Sequence, residues 1–320
     1  MLRVTRRIVH ALVLLLGVSA ISFALLSAAP GNVFDELRLN PQISPQAVAA
    51  LKAEFGVDLP WPARYAHWLA SILRGEFGYS VSYRCRVGTL LWPRARNTLL
   101  LTALATILAW MIAVPWGIVE ALHRGRWLDR LGGGITAILL AIPELVLALL
   151  LLWLAERTRW FPTGGMFSLG SAELTMSRKA WDLAQHLILP VLALALGAAP
   201  FLIRYVRTAI SAVLDAPFLA SARAFGIGTA RIVYRHALPA AANSLISLLG
   251  FSIGALLSTS LLIEVVLSWP GLGPLMLEAM LARDTCVVMA VVMLSAVFLV
   301  FGNLIADLLL YWSDPRVRAV

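Results

Sequence analysis

The chain has 320 residues, of which 60% are hydrophobic and only 13% are charged, and its mean hydropathy is +0.85. Soluble domains carry about twice that charged fraction, so the composition excludes a soluble globular enzyme and indicates that lipid is the solvent. The 26 basic residues exceed the 17 acidic ones by nine, but they lie mostly between apolar runs, which argues against nucleic-acid binding. Two cysteines without a CxxC pattern indicate neither a disulfide framework nor a zinc site.

Six apolar runs are long enough to cross a membrane as helices, because a helix of about 20 residues covers the roughly 30 Å hydrocarbon core. The first run could also be read as a cleaved signal peptide, but the apolar region of a signal peptide has only about 7 to 15 residues. We therefore predict six spans, at residues 8–29, 97–122, 131–155, 186–206, 240–263 and 286–311.

Six spans place both termini on the same side of the membrane. Arg3, Arg6 and Arg7 precede the first span, and basic residues beside short loops are retained in the cytoplasm, so we expect cytoplasmic termini. Arg94 and Arg96 lie beside the second span on the predicted outer side and oppose this rule. The predicted organisation is an N-terminus with the first span (1–29), an outer helical segment (30–96), a five-helix core (97–313) and a cytoplasmic tail (314–320).

The outer segment contains two predicted helices. One begins at Ser44 and ends before Gly56, and the other covers residues 62–74. The second helix places aromatic and aliphatic side chains at helical spacing, which favours an amphipathic pair packed on the membrane surface or on its own spans. A ligand site is the alternative.

The loop at residues 211–239 is predicted to form two short helices at the cytoplasmic face. Asp215 is a candidate cap for a helix whose first turn contains Pro217, and Gly226 is the expected left-handed residue at its end. A second helix should run over residues 230–237 and stop before Pro239. A DNA-binding helix-turn-helix is the alternative, but a bend tethered between two spans cannot easily enter a major groove.

Glu144 follows Pro143 inside the third predicted span, where a carboxylate must face protein or a wet cavity. One interpretation is that Glu144 lines a transport pathway through the membrane and binds a cationic group of the transported substrate. A protonated or hydrogen-bonded carboxyl beside a proline kink is an equally good interpretation.

Residues 264–285 are too apolar and too rich in turn residues for a solvated loop. They are predicted to form a re-entrant element over the pathway, with a plain surface loop as the alternative. The pathway or gate candidates in this segment are Glu264, Trp269, Pro270, Gly271 and Gly273.

No catalytic or metal-binding motif is recognised, and no GxxxxGK[ST] sequence that would cradle a phosphate occurs. A transport subunit without such a sequence would depend on ATP hydrolysed by another chain. An ion-gradient-driven secondary transporter or channel is the alternative, but no convincing inverted repeat is found and only Glu144 lies deep in a span.

Residues 220–226, with the sequence ASARAFG, followed by 235–239, RHALP, resemble the cytoplasmic coupling loop of ABC-importer permeases. The whole chain is similar to the permeases of dipeptide, oligopeptide and nickel importers. The resemblance rests on an ordered set of short motifs, each weak alone: Ala29-Pro30-Gly31, Arg74-Gly75-Glu76-Phe77-Gly78, Trp127-Leu128-Asp129-Arg130, Ser268-Trp269-Pro270-Gly271-Leu272-Gly273 and Asp314-Pro315-Arg316.

The resemblance implies an all-α type I ABC-importer permease of the bacterial inner membrane, multi-pass and in contact with lipid but not with nucleic acid. It implies a second related permease, two ATPase subunits or domains that bind ATP and Mg²⁺, and an extracytoplasmic substrate-binding protein. The cargo is expected to be a di- or oligopeptide, with a nickel chelate or another small solute as the alternative.

The same resemblance assigns the ATPase contact to the loop. Ala220 replaces the glutamate that names this loop in the wider family, and Phe225 replaces a common lysine, so coupling should depend more on packing than on charge. His236 has no partner at ligand spacing and is interpreted as a loop-packing residue. The predicted contact residues are Ala220, Ser221, Ala222, Arg223, Gly226, Arg235, His236, Leu238 and Pro239.

Overall fold

The computed structural model describes residues 2–29, 44, 46 and 59–313. The predicted helix from Ser44 to Gly56 lies largely outside these residues. The described part contains a short hairpin, β1 (Tyr79–Ser80) and β2 (Cys85–Arg86), paired antiparallel. Its helices are α1 (Leu2–Ala28), α2 (Trp61–Leu73), α3 (Val87–Leu122), α4 (Trp127–Ala141), α5 (Glu144–Thr158), α6 (Met176–Leu214), α7 (Pro217–Ala224), α8 (Thr229–Ile232), α9 (Leu238–Val266), α10 (Leu272–Leu281) and α11 (Thr285–Ser313).

The predicted membrane architecture is confirmed. Within the described residues, five helical stretches are long and apolar enough to cross a membrane, and the bent pair α4–α5 makes six when it is counted as one span. Two helices extend well beyond their apolar runs. Helix α3 begins ten residues before Asn97, and α6 has 39 residues although its predicted span has 21.

The third predicted span is broken rather than straight. Helices α4 and α5 meet at an angle of 96°. Ile142 has an extended backbone (φ −87°, ψ 118°), as a residue before proline prefers, and Pro143 precedes the first turn of α5. The pyrrolidine ring thus ends α4 instead of only kinking a continuous helix.

The chain divides into two compact units, and the first comprises Met1–Asn97 and Pro270–Val300. In this unit α2 packs on α1, which is one of the two arrangements predicted for this helix. The Tyr65 and Ser19 hydroxyls are 2.8 Å apart, and the ring of Phe23 meets the Tyr65 ring edge-on at 5.6 Å between centroids. The Arg64 guanidinium lies 5.7 Å from the centre of the Phe23 ring.

The hairpin of the first unit is held by Glu278 of α10 and by Asp284, which lies between α10 and α11. The Ser80 hydroxyl donates to buried Asp284 at 2.6 Å, and the Tyr83 hydroxyl donates to Glu278. Burial and this hydrogen bond raise the pKa of Tyr83 to about 12. Cys85 and Cys286 are both free thiols.

The second unit comprises Thr98–Trp269 and Phe301–Val320. Small residues allow its helices to approach closely, as is common between membrane helices. A Cβ atom on Gly117 would lie 2.8 Å from Val206, and one on Gly250 would lie 2.5 Å from the Ala306 side chain. Alanine, leucine and isoleucine side chains fill the interior between these contacts.

Candidate coupling loop and pathway residues

The first short helix of the predicted coupling loop is α7. Pro217 stands in its first turn, as expected, but its N-cap residue is Ala216 and no side chain caps it. The prediction that Asp215 caps this helix is wrong. Asp215 instead ends α6, and its carboxylate accepts a hydrogen bond from Arg124 at 2.9 Å, so the side chain is turned toward another part of the protein.

The turn between the two short helices depends on Gly226, as predicted. Its φ is +74°, the left-handed conformation that side chains with a Cβ disfavour. The Gly226 amide donates to the Arg223 carbonyl at 2.9 Å, and the Ile227 amide donates to the Ala222 carbonyl at 3.2 Å. These bonds satisfy carbonyls that the end of α7 would otherwise leave without a partner.

The second short helix does not stop before Pro239, so this part of the prediction is wrong. Helix α8 passes into a π-helical turn, Val233–Ala237, and α9 begins directly after it at Leu238. Proline lacks an N–H donor and crowds the carbonyl four residues earlier. The wider π turn changes the hydrogen-bonding register just before Pro239, which allows the helical path to continue.

The loop has an inner and an outer face. Leu219, Ile232 and Val233 are buried against the C-terminal parts of α3 and α6 and the N-terminal part of α9. Phe218, Phe225 and Tyr234 project outward with 53%, 86% and 69% of their surface exposed. Among the predicted contact residues, six are exposed and three are half-buried; the exposed ones are Ala220, Ser221, Arg223, Gly226, Arg235 and Pro239, and the half-buried ones are Ala222, His236 and Leu238.

A charged cluster lies in the same unit and was not predicted. Arg207 on α6 contacts both carboxylate oxygens of Asp129 on α4, at 2.8 and 2.9 Å, and its Nε lies 3.9 Å from the Glu120 carboxylate on α3. The Trp116 indole donates to Glu120 at 2.9 Å, and the Gly125 amide donates to Asp129 at 2.8 Å. Both acids are buried, and the Arg207 side chain is 37% exposed.

The cluster links the turn between α3 and α4 to α6. The exposed ion pair between Arg124 and Asp215 forms a second link between the same two elements. Two features of the sequence indicated it in part. Asp129 belongs to a motif that carries the family resemblance, and Glu120 is an acid in the last turn of an apolar run, where an ionisable group needs a partner. Only the fold brings Arg207 to both acids.

Glu144 occupies the first turn of α5, directly after the break at Pro143, and is half-buried. Its side chain lies over Gly197 of α6, where an added Cβ atom would be 2.9 Å from the Glu144 Cγ. The position fits the acidic preference of a helix N-terminus. Its contact with substrate stays a prediction.

The remaining pathway candidates fall in both units. In the second unit Glu264 and Trp269 are completely buried, and the Trp269 amide donates to the Glu264 carbonyl at 2.8 Å. In the first unit Asn97 donates to the Pro270 carbonyl at 2.7 Å, and Gly271 precedes the first residue of α10. Gly273 is buried in α10. This burial contradicts the alternative of a plain surface loop, and a re-entrant gate stays a prediction.

Comparison with known proteins gives consistent matches along the chain. Residues 113–319 match the family of binding-protein-dependent transport system inner membrane components, and residues 1–104 match the N-terminal model of such components. The oligopeptide transport system permease protein AppB of Bacillus subtilis is 35% identical, and the dipeptide transport system permease protein DppB of Alkalihalophilus pseudofirmus is 30% identical. Each alignment covers 98% of both chains.

The glutathione transport system permease protein GsiC of Salmonella typhimurium is also 30% identical, over 98% of both chains. Among solved structures, a chain of the MetNI methionine ABC transporter in an inward-facing conformation matches with a TM-score of 0.54 and 20% identity. That match covers 70% of this chain and 96% of the other, and it supports the type I permease fold. The chain therefore belongs to the family of binding-protein-dependent transport system inner membrane components, as a multi-pass permease subunit of an ABC importer in the bacterial inner membrane.

Proposed function

We propose that this permease forms half of the pathway of an importer for di- or oligopeptides. In this proposal the termini and the loop at residues 211–239 face the cytoplasm. A second related permease completes the pathway, an extracytoplasmic protein delivers the cargo, and two ATPase subunits or domains bind ATP and Mg²⁺ and hydrolyse the nucleotide. A peptide cargo is supported by the names of relatives such as AppB and DppB; glutathione, in the name of GsiC, is itself a small peptide.

One observation carries the proposed contact with the ATPase. The loop buries Leu219, Ile232 and Val233 firmly in its own unit but leaves the rings of Phe218, Phe225 and Tyr234 in solvent. Exposure of three aromatic rings to water on one face is energetically unfavourable unless a partner protein covers that face. Aromatic residues are also enriched where protein partners bind, because they bury a large area with little loss of conformational entropy.

The buried inner face of the loop provides a route by which a contact with the ATPase can transmit movement. Leu219 packs in the same apolar cluster as Ile118 of α3, Ile210 of α6 and Leu245 of α9. Because close-packed side chains transmit displacement rather than absorb it, a push on α7 moves the inner ends of three helices together.

The test uses the assembled complex in lipid nanodiscs, with Phe225→Ala and with Phe301→Ala as the control. Phe301 is 63% exposed on α11, outside the loop. We expect Phe225→Ala to weaken retention of the ATPase at least tenfold and to reduce transport, whereas Phe301→Ala retains it. Equal retention in both variants would contradict the proposed contact.

The cargo is tested separately by calorimetry of the cognate extracytoplasmic protein with a dipeptide, an oligopeptide and a nickel chelate. Affinity for the peptides supports the proposal. Affinity for the chelate alone would replace the proposed cargo without affecting the proposed ATPase contact.

A further inference from the structure

The second unit contains a cavity of about 550 Å³ between α4, α6 and α9. It opens at the surface of this unit, because most of the α6 side chains in its wall are exposed. The wall combines aromatic, hydroxyl and cationic groups. Its principal lining residues are Leu140 of α4, Phe201, Arg204, Tyr205 and Thr208 of α6, and Ser244 of α9.

Glu144 stands at one end of this cavity. It follows the lining residue Leu140 across the break at Pro143. Its side chain lies over Gly197 of α6, where an added Cβ atom would be 2.9 Å from the Glu144 Cγ and 3.2 Å from Oε1. Gly197 comes one helical turn before Phe201, so the Glu144 carboxyl group lies next to the aromatic part of the wall.

Arg204 stands at the other end of the cavity. Gly197 and Arg204 are seven residues apart on α6, which is about two turns of helix and about 10 Å along its axis. They therefore lie on the same side of α6, with Phe201 between them. An acidic and a basic side chain thus flank an aromatic wall.

Neither of these two charges is balanced inside the protein. Among the residues that the structure describes, Glu144 and Arg204 form no ion pair within 4 Å and no side-chain hydrogen bond. The buried acids Glu120 and Asp129 have Arg207 as their base. Ionisable side chains within membrane spans face protein or a water-filled cavity and mark the path of a substrate, because hydrocarbon offers them no partner.

We propose that this cavity is a binding site for a short peptide with two free ends. The proposal rests on the proposed function and adds a site to it. The ammonium group of the peptide donates to Glu144, and its carboxylate accepts paired hydrogen bonds from Arg204, whose planar guanidinium fits a carboxylate. The Phe201 and Tyr205 rings offer apolar surface to the peptide side chains.

The distance between the two charges limits the length of the peptide. An extended residue spans about 3.5 Å, so about three residues bridge the roughly 10 Å between Gly197 and Arg204. The side chains of Glu144 and Arg204 can adjust to peptides that are one residue shorter or longer. A longer peptide engages only one of the two charges.

The experiment measures binding of radiolabelled trialanine to the assembled transporter in phosphatidylcholine nanodiscs, without the extracytoplasmic protein. The three probes are trialanine with free ends, its N-acetylated form and its C-amidated form. We expect the wild-type transporter to bind the free form about tenfold more tightly than either blocked form, since each block removes one charge-assisted contact.

Two variants assign the ends. Arg204→Gln should bind free trialanine about tenfold more weakly than wild type does, but should bind the amidated form as wild type does. Glu144→Gln should show the same pattern with the acetylated form. Each variant tests one end, and the comparison of probes on the wild type requires no variant. The controls, Arg178→Gln on α6 and Glu156→Gln on α5, remove exposed charges from the same two helices and should bind all three probes normally.

Three results would overturn the site. They are no binding of free trialanine to the wild type, equal affinity of the wild type for all three probes, and equal losses in Arg204→Gln and Arg178→Gln. If Arg204→Gln instead retains less phosphatidylglycerol and binds trialanine normally, the cavity is a lipid headgroup site and the proposal is wrong.

Uptake into vesicles with the cognate extracytoplasmic protein separates this site from the proposed function. Peptide uptake by the wild type, together with normal trialanine binding in both variants, removes only the site. Failure of the wild type to take up any dipeptide or oligopeptide would contradict the proposed function itself.

Discussion

Arg207 and Asp129 form a two-point ion pair between α6 and α4, with nitrogen–oxygen distances of 2.8 and 2.9 Å. The pair lies beside a second buried acid, Glu120, so one guanidinium lies within 4 Å of two carboxylates. Through Asp129 it fixes the turn that follows α3. The same turn carries Arg124, which contacts Asp215 at the residue where α6 ends and the loop to α7 begins.

Removing this pair should destabilise the protein. Asp129→Asn leaves Arg207 facing Glu120 alone, and we expect the free energy of unfolding to fall by about 2–3 kcal/mol, since Arg207 still reaches solvent. Asp215→Asn removes the exposed partner of Arg124 and should cost less than about 1 kcal/mol. Denaturant unfolding of both variants in detergent measures the difference. Equal losses of unfolding free energy in the two variants would contradict the larger stabilisation expected from the buried Arg207–Asp129 pair.

Gly132 tests the packing around Glu120. A Cβ atom there would collide with the Glu120 carboxylate and lie 2.9 Å from the Trp116 indole nitrogen. Gly132→Ala should therefore lower the free energy of unfolding by about 1–3 kcal/mol. Gly133→Ala, on the same helix and facing open space, should leave it unchanged or raise it slightly because alanine favours helix. A neutral Gly132→Ala would show that the Glu120 side chain has room to move.

Gly226 tests the loop. Its φ of +74° strains any β-branched residue by about 1–2 kcal/mol, although no side chain stands within 4 Å of an added Cβ. Gly226→Val should keep normal abundance in the membrane but abolish cargo-stimulated ATP hydrolysis and uptake in reconstituted vesicles. Gly228→Ser is the control, because Gly228 has a φ of −64° and precedes the first turn of α8, where serine is favoured. Normal cargo-stimulated ATP hydrolysis and uptake in Gly226→Val would contradict a role of this loop in coupling.

The Tyr83 phenol should lose its proton at a higher pH than an ordinary tyrosine. Its pKa is raised to about 12 from the ordinary value of 10, so its phenol stabilises the fold fully below about pH 10 and loses this contribution as the pH rises through 12. The ultraviolet difference titration of wild type minus Tyr83→Phe should have its midpoint near pH 12. A midpoint near pH 10 would mean that Glu278 does not hold the phenol in the folded protein.

The orientation is tested with single cysteines in a background of Cys85→Ser and Cys286→Ser. Gln46 and Thr229 are both exposed, which makes their labelling comparable. A membrane-impermeant thiol reagent should label a cysteine at Gln46, and not one at Thr229, in intact cells. The reverse pattern would place the loop and both termini on the outer side.

The sequence alone predicted the six apolar spans, the helix at residues 62–74 and the left-handed Gly226, because hydrophobic length, helical spacing and glycine conformation are local properties. It erred at Asp215, where a distant residue decides the outcome, and at Pro239, where the local helical geometry adapts to the proline. Asp215 has the chemistry of a helix cap, but the side chain pairs with Arg124, 91 residues earlier in the chain. Pro239 is a strong stop signal, yet the π turn before it allows the helix to continue.

Only the tertiary structure joined Glu120, Asp129 and Arg207, since no spacing rule relates residues on three different helices. It also decided which side of the loop is buried: Leu219 and Phe218 are adjacent and equally apolar, but one is enclosed and the other is 53% exposed. The physical reason is the same in both cases. Apolar pattern determines that a helix enters the membrane, whereas the charge and shape of the neighbouring helices determine which of its side chains meet.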